Sequence, residues 1–309
     1  MTGAVFFDLD RTLLTGASGP ALNKALGQAG VLSRQSIPGQ AWLYRVYDLV
    51  GETLPSMMLA RGAALAAKGW EVAQVRRAGE LAADLLEPMV APYARGLLAE
   101  HQAAGRPLVL ATTTPYHMVE PLARRLGFDH VVATRYQQAD GCYTGKLDGE
   151  FVWALGKLAA ARRWAAQSEV NLEESFAYSD SIYDMPLLMA VGHPNAVNPD
   201  PRLWAAAALR RWPVMHLDVP PGVPKVAGME PADALRLLAR PELFPYARFD
   251  LGSPRNIPTE GPALVVSNHR SYFDVVALGL TVLAAGRPLR FMAKKEVFDA
   301  PVIGWLARA

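Results

Sequence analysis

Apolar residues along this chain fall into short unbroken runs, separated by longer stretches in which they recur every three or four positions. AVFFD at 4–8, PLVLATTT at 107–114, HVVAT at 130–134 and SFAYSD at 175–180 are runs of the first kind. A continuous apolar run of this length that stops abruptly at polar residues predicts a strand buried on both faces. MVEPLARRLG, closed by a glycine suited to a helix C-terminus, and GKLAAARRWAAQ, with three- and four-residue apolar spacing, predict helices between those strands. The alternation argues for an α/β fold in which helices cover a parallel sheet.

Residues 16–94 interrupt this rhythm with helical patterns alone, among them LNKALGQAG, QAWLYRVYDLV and VRRAGELAADLLEPMV. A helical module inserted after the first strand would sit above the strand ends, where open α/β sheets bind ligands. DVPPGVPKVAGMEP at 218–231 is rich in proline and glycine and has little apolar periodicity, so it marks a boundary. The expected organisation is a first domain at 1–218, a linker at 219–244 and a second region at 245–309. Beyond the boundary the pattern predicts a short helix in ADALRLLAR, a strand around YARFDLG, the turn-rich SPRNIPTEGP, the strand LVVS at 264–267 and a helix in FDVVALGLTVL.

A length of 309 residues agrees with two domains. The charge of +2, from 31 basic and 29 acidic residues without a basic tract, speaks against nucleic acid as a partner. A single cysteine, Cys142, excludes an internal disulfide and a cysteine-built zinc site, and suits a reducing cytoplasm. The start MTGAVFFDLD has no signal-peptide pattern, and the apolar run at 275–285 is shorter than the roughly 20 residues that span a bilayer.

Four pieces of chemistry punctuate the first domain. DLDRT places Asp8 and Asp10 two apart at the end of a buried strand, suited to one carboxylate attacking phosphorus while the other moves protons. Thr112 closes the second strand with a hydroxyl that can donate to phosphoryl oxygens, and Lys157 opens a helix as a cation for phosphoryl charge. SDSIYD sets Asp180 and Asp184 four apart after another strand, as hard oxygen ligands suited to Mg2+. Singly each piece is weak. Their order, with three of the four at strand ends, is not.

This arrangement resembles the haloacid dehalogenase superfamily, in its phosphoserine-phosphatase-like branch, over residues 4–216. The resemblance implies a Rossmann-like parallel sheet with an inserted helical cap. It makes Asp8 the nucleophile of an aspartyl-phosphate and Asp10 the general acid and base, with Thr112 and Lys157 holding the phosphoryl group. Asp180 and Asp184 would anchor Mg2+, completed by the Asp8 carboxylate and the Asp10 carbonyl. Phosphoserine is disfavoured as substrate, because Ala17 stands where that branch has a glutamate for the serine ammonium, and Thr113 and Thr114 replace a glycine pair. HPNAVNPDPRL looks like the family's final strand and loop, where Asn195 and Asn198 are minor catalytic candidates. In the cap, Arg45, Tyr47, Glu52 and Arg61 are candidates to line the entrance.

NHRSYFD carries His269 and Asp274 five apart, which lets them meet across a strand-to-helix turn as a base and its orienting carboxylate. With the flanking PALVVS and RFMAKKEVFDAPVIGW, residues 245–309 resemble the opening of a glycerolipid acyltransferase domain, a partial α/β domain that would use an acyl thioester. Its later acceptor-binding blocks do not follow His269, so the expectation is a truncated two-enzyme protein of phospholipid metabolism. The phosphatase would act on a small phosphorylated substrate, lipid-related by association, in the cytoplasm with room for peripheral contact at the inner membrane face. The alternative is acyl transfer as the main activity of the full protein, with the front domain a regulatory phosphate-binding module.

Overall fold

The computed structural model describes residues 3–32 and 54–219, then residue 225 and several stretches between 246 and 299. The chain separates into two units, Met1–Pro221 and Gly222–Ala309.

Among the described residues the first unit is built on a six-stranded sheet of order β3-β2-β1-β6-β7-β8, with every pair parallel. The strands are β1 (Val5–Phe7), β2 (Leu108–Pro115), β3 (His130–Thr134), β6 (Phe176–Ser179), β7 (His193–Val197) and β8 (Val214–Met215). The central β1 pairs Phe7 with Leu110 on one side and with Tyr178 on the other. Its apolar run is continuous because both faces are covered. On one face Val5, Phe7, Leu108 and Leu110 pack with residues of α3 (Val72–Leu86), α4 (Ala94–Ala103) and α5 (Tyr116–Arg125). On the other, Phe6, Val109 and Ala111 pack with α6 (Leu155–Gln167), α7 (Met185–Leu188) and α8 (Pro201–Arg210).

Two features depart from the sequence reading. HPNAVNP is not the last strand, since β8 adds beside it through Ala196 and Val214. Residues 136–147 form an unforeseen antiparallel hairpin of β4 (Tyr136–Ala139) and β5 (Cys142–Leu147). Its turn carries Asp140 and Gly141 at φ 49° and 78°, the left-handed pair that a two-residue hairpin requires.

The inserted segment contributes α1 (Gly19–Gln28), α2 (Leu54–Ala66) and α3. Its neck closes where Leu14 bridges Val90 and where Ala91 N–H donates to Leu13 O at 2.8 Å. Its far side is clasped by the hairpin: Gly69 N–H donates to Tyr143 O at 2.8 Å and Tyr143 N–H to Trp70 O at 3.0 Å. α3 lies against α5 so closely that a Cβ on Gly79 would stand 2.1 Å from the His117 carbonyl oxygen. Arg45, Tyr47 and Glu52 lie outside the described residues, and Arg61 is exposed.

In the second unit α9 (Phe273–Ala284) and α10 (Lys295–Asp299) are described. Among the described residues the expected strand LVVS has no β-partner: 263–268 are irregular, and their side chains are exposed. An apolar run becomes a strand only where a neighbour satisfies its backbone groups. The regions expected as ADALRLLAR and YARFDLG fall largely outside the described residues. Among the described residues no helix is long and apolar enough to cross a membrane.

Candidate active site

Parallel strands end together, so residues just past their carboxyl ends share one edge of the sheet. Asp8 follows Phe7 there, and Asp180 follows Ser179 on the neighbouring strand. The chain then turns sharply through residues 9–13, and Arg11 adopts φ 57°, ψ −4°, a left-handed geometry uncommon outside glycine. Asn198 supports that turn by donating from Nδ2 to the Arg11 carbonyl at 3.1 Å. The Asn198 Oδ1 can only accept, so His216 Nδ1, 3.0 Å away, carries the proton and donates.

Lys157 joins the pieces. It is the third residue of α6, its side chain is only 1% exposed, and Nζ donates to Asp8 Oδ1 at 2.7 Å and to Asp184 Oδ2 at 2.6 Å. Asp184 Oδ2 also accepts from Ser179 Oγ at 2.6 Å. Its other oxygen, Oδ1, is buried with no hydrogen-bond partner. Asp180 meets Arg11 Nε at 3.4 Å and Thr12 Oγ1 at 3.4 Å. Asp10 Oδ1 accepts from Ser18 N–H at 2.6 Å, which ties it to the entry of the inserted helices.

The site therefore holds four formal negative charges, on Asp8, Asp10, Asp180 and Asp184, against two positive ones on Arg11 and Lys157. A carboxylate oxygen buried without a partner is costly, and the excess of two negative charges suits a hard divalent cation. As placed, Lys157 and Arg11 stand in among the carboxylates, and no group of three or more His, Cys, Asp or Glu among the described residues forms a metal cage.

Thr112 lies inside β2 rather than at its end, because the strand runs on to Pro115 past a register shift. Its hydroxyl donates to Thr114 Oγ1 at 3.2 Å and accepts from Thr114 N–H at 3.2 Å. Thr113 points to the opposite side, where its hydroxyl donates to Val152 O at 2.8 Å. Asn195 donates to the nearby His193 carbonyl, at 2.9 Å. Ala17 is buried and offers no carboxylate. Sequence reasoning passed over Ser179 and Arg11, although both lie inside the quoted SFAYSD and DLDRT. It also passed over Asp200, which caps α8 by accepting from Arg202 and Leu203 N–H at 2.8 and 2.9 Å and holds Ile182 N–H at 2.9 Å.

Under the strand end lies a buried polar pair. His101 Nε2 is 2.8 Å from Tyr178 OH, and Arg106 lies 3.1 Å from His101 Nδ1. Arginine only donates, so Nδ1 accepts and Nε2–H points to the tyrosine oxygen. Burial and the Arg106 charge hold the His101 pKa below its usual value, while burial pushes Tyr178 up to about 12.

In the second unit, Asp274 forms a capping box with Ser271. Its Oδ2 accepts from Ser271 N–H at 2.8 Å, and Ser271 Oγ accepts from Phe273 N–H at 3.1 Å. His269 lies outside the described residues.

Residues 5–189 match the family model described as haloacid dehalogenase-like hydrolase, and residues 248–309 match one described as acyltransferase. A phosphoserine phosphatase of Mycobacterium tuberculosis is 34% identical over 69% of this chain and 70% of its own length. A histidinol-phosphatase of Neisseria meningitidis is 30% identical over 70% of this chain and 99% of its own. A crystal structure from Bordetella pertussis, titled as a protein of unknown function, superposes with a TM-score of 0.59. It is 31% identical and covers 70% of this chain and 100% of that one.

Proposed function

Since the chain belongs to the haloacid dehalogenase-like hydrolases and is a phosphomonoester hydrolase by that kinship, we propose that it works through an aspartyl-phosphate on Asp8 and requires Mg2+. The observation that carries this reading is Lys157 Nζ set between Asp8 and Asp184, at 2.7 and 2.6 Å. A cation buried between two carboxylates at the carboxyl edge of a parallel sheet is poised to neutralise a transferred phosphoryl group.

Asp8 attacks phosphorus, and Asp10, which takes up a proton before the chemical step, gives that proton to the departing alkoxide. Asp10 then takes a proton from water as that water attacks the aspartyl-phosphate, so phosphate leaves and both carboxylates return to their starting state. Thr112 donates to a phosphoryl oxygen once its hydroxyl turns from Thr114. Asp184, through its unpartnered buried Oδ1, and Asp180 would hold the metal together with Asp8 and the Asp10 carbonyl. Bound Mg2+ supplies the positive charge that lets an anionic carboxylate approach an anionic phosphate.

The substrate is a small phosphomonoester. Phosphoserine is disfavoured by the buried Ala17, while the acyltransferase match at 248–309 supports a neighbouring role in phospholipid metabolism. In that role His269, oriented by Asp274, would be the base that activates an acceptor hydroxyl for attack on an acyl thioester, with peripheral contact at the inner membrane face. Hydrolysis of an aryl phosphate, abolished by chelator and by Asp8→Asn, tests the phosphatase reading. Undiminished turnover in Asp8→Asn would sink it.

A further inference from the structure

The outward side of α8 is apolar. Leu203 and Ala207 are buried in the core. Turned away from them are two adjacent rows, Trp204 with Ala208 and Ala205 with Leu209, the members of each four residues apart. All four residues are exposed, Trp204 by 56% and Leu209 by 82%. From Pro201 to Met215 the sequence PRLWAAAALRRWPVM holds no acid, lysine, serine, threonine, asparagine or glutamine, so its charge comes from Arg202, Arg210 and Arg211 alone. Arg202 is engaged with Asp200 and the Tyr183 ring. Arg210 and Arg211 are exposed and form no ion pair among the described residues.

A surface helix ordinarily carries charged and polar residues on its outer face, and one that is apolar outside as well as inside belongs against another apolar phase. Tryptophan and leucine outward, with arginine as the charge beside them, is the composition of a helix that lies in the surface of an anionic bilayer. A second copy packed symmetrically on α8 would set arginine against arginine. With ten residues the helix is about 15 Å long, enough to lie on a membrane and too short to span one. Its N-cap is tied to the candidate site, since Asp200 N–H donates to Asp180 O at 2.8 Å. The same chain carries the acyltransferase match at 248–309. We infer that the outer face of α8 docks on an anionic phospholipid surface, by insertion of Trp204 and Leu209 and attraction of Arg210 and Arg211. This rests on the peripheral membrane contact proposed above and gives that contact a surface in the first unit.

The test is co-sedimentation of the full chain with vesicles of phosphatidylcholine, with and without phosphatidylglycerol. Binding should be tighter to the vesicles that contain phosphatidylglycerol and should weaken as salt is added. Arg210→Gln combined with Arg211→Gln should weaken it about 25-fold, at about fivefold for each arginine lost. Trp204→Gln combined with Leu209→Gln should weaken binding to both kinds of vesicle. The arginine pair lies in solvent, so its double variant should melt as the unaltered chain does. Undiminished binding in both double variants, or equal binding to neutral and anionic vesicles, would overturn the inference and leave membrane contact to other parts of the chain. No binding to either vesicle would overturn the peripheral contact as well. A dimer in solution that Trp204→Gln with Leu209→Gln dissolves, without vesicle binding, would give the face to a second copy and overturn the lipid assignment.

Discussion

Lys157 and Asp8 are 149 residues apart in the chain, yet Nζ and Oδ1 lie 2.7 Å apart at the carboxyl end of β1. The lysine side chain is almost wholly buried, and Asp184 holds it from the other side. Breaking such a group leaves uncompensated buried charge. Lys157→Met should therefore destabilise the first unit by ~3–5 kcal/mol, read as a lower urea midpoint, and should abolish hydrolysis. An unchanged midpoint would mean that the ion pairs are not made in solution.

Mg2+ should raise the melting temperature, because the site carries two more formal negative than positive charges and Asp184 Oδ1 has no partner. A ligand present at 100 times its Kd stabilises by about 2.7 kcal/mol. Asp184→Asn should weaken that shift strongly. A shift of the same size in Asp184→Asn would place the cation elsewhere.

Stability should fall as the solution is acidified through the ordinary histidine range. The His101 pKa is lowered in the folded state by burial and by Arg106, so the unfolded chain takes up a proton first. With more protons bound in the unfolded state, stability rises with pH across that window and is lost as pH drops below about 6.5, the unperturbed value. His101→Gln should flatten this dependence in a series of melts from pH 7.5 to pH 5.5. An equal slope in the variant would assign the effect to other groups.

The approach of α3 to α5 depends on the missing side chain at Gly79, where a Cβ would lie 2.1 Å from His117 O. Gly79→Ala should cost about 1–3 kcal/mol by overpacking, even though alanine is the better helix former. Chemical denaturation of the two proteins decides it, and a more stable alanine variant would contradict the packing.

The central sheet was legible because its strands are buried on both faces, which writes them as continuous apolar runs; β1 and β3 fall where AVFFD and HVVAT predict them. The hairpin could have been read from the Asp140-Gly141 pair, but its strands are mostly polar and one-sided, so periodicity did not announce them. β8 is two residues long and exists through its pairing with β7, which no local pattern encodes. LVVS shows the converse, an apolar run without a ladder among the described residues. The strand-end rule set Asp8 and Asp180 at one edge of the sheet, where the structure places them, and Lys157 links Asp8 to Asp184 there. The contacts of Ser179, Arg11 and Asn198 depend on how loops from distant parts of the chain meet, and that lies beyond spacing.

The central claim is that Asp8 becomes covalently phosphorylated. Full-length protein turning over an aryl phosphate with Mg2+ would be acid-quenched and reduced with borohydride, which converts an acyl phosphate on aspartate to homoserine, and its peptides would be read by mass spectrometry. The account predicts homoserine at position 8, absent when substrate is omitted. Continued hydrolysis with no conversion at position 8, or with conversion at another aspartate, would contradict it.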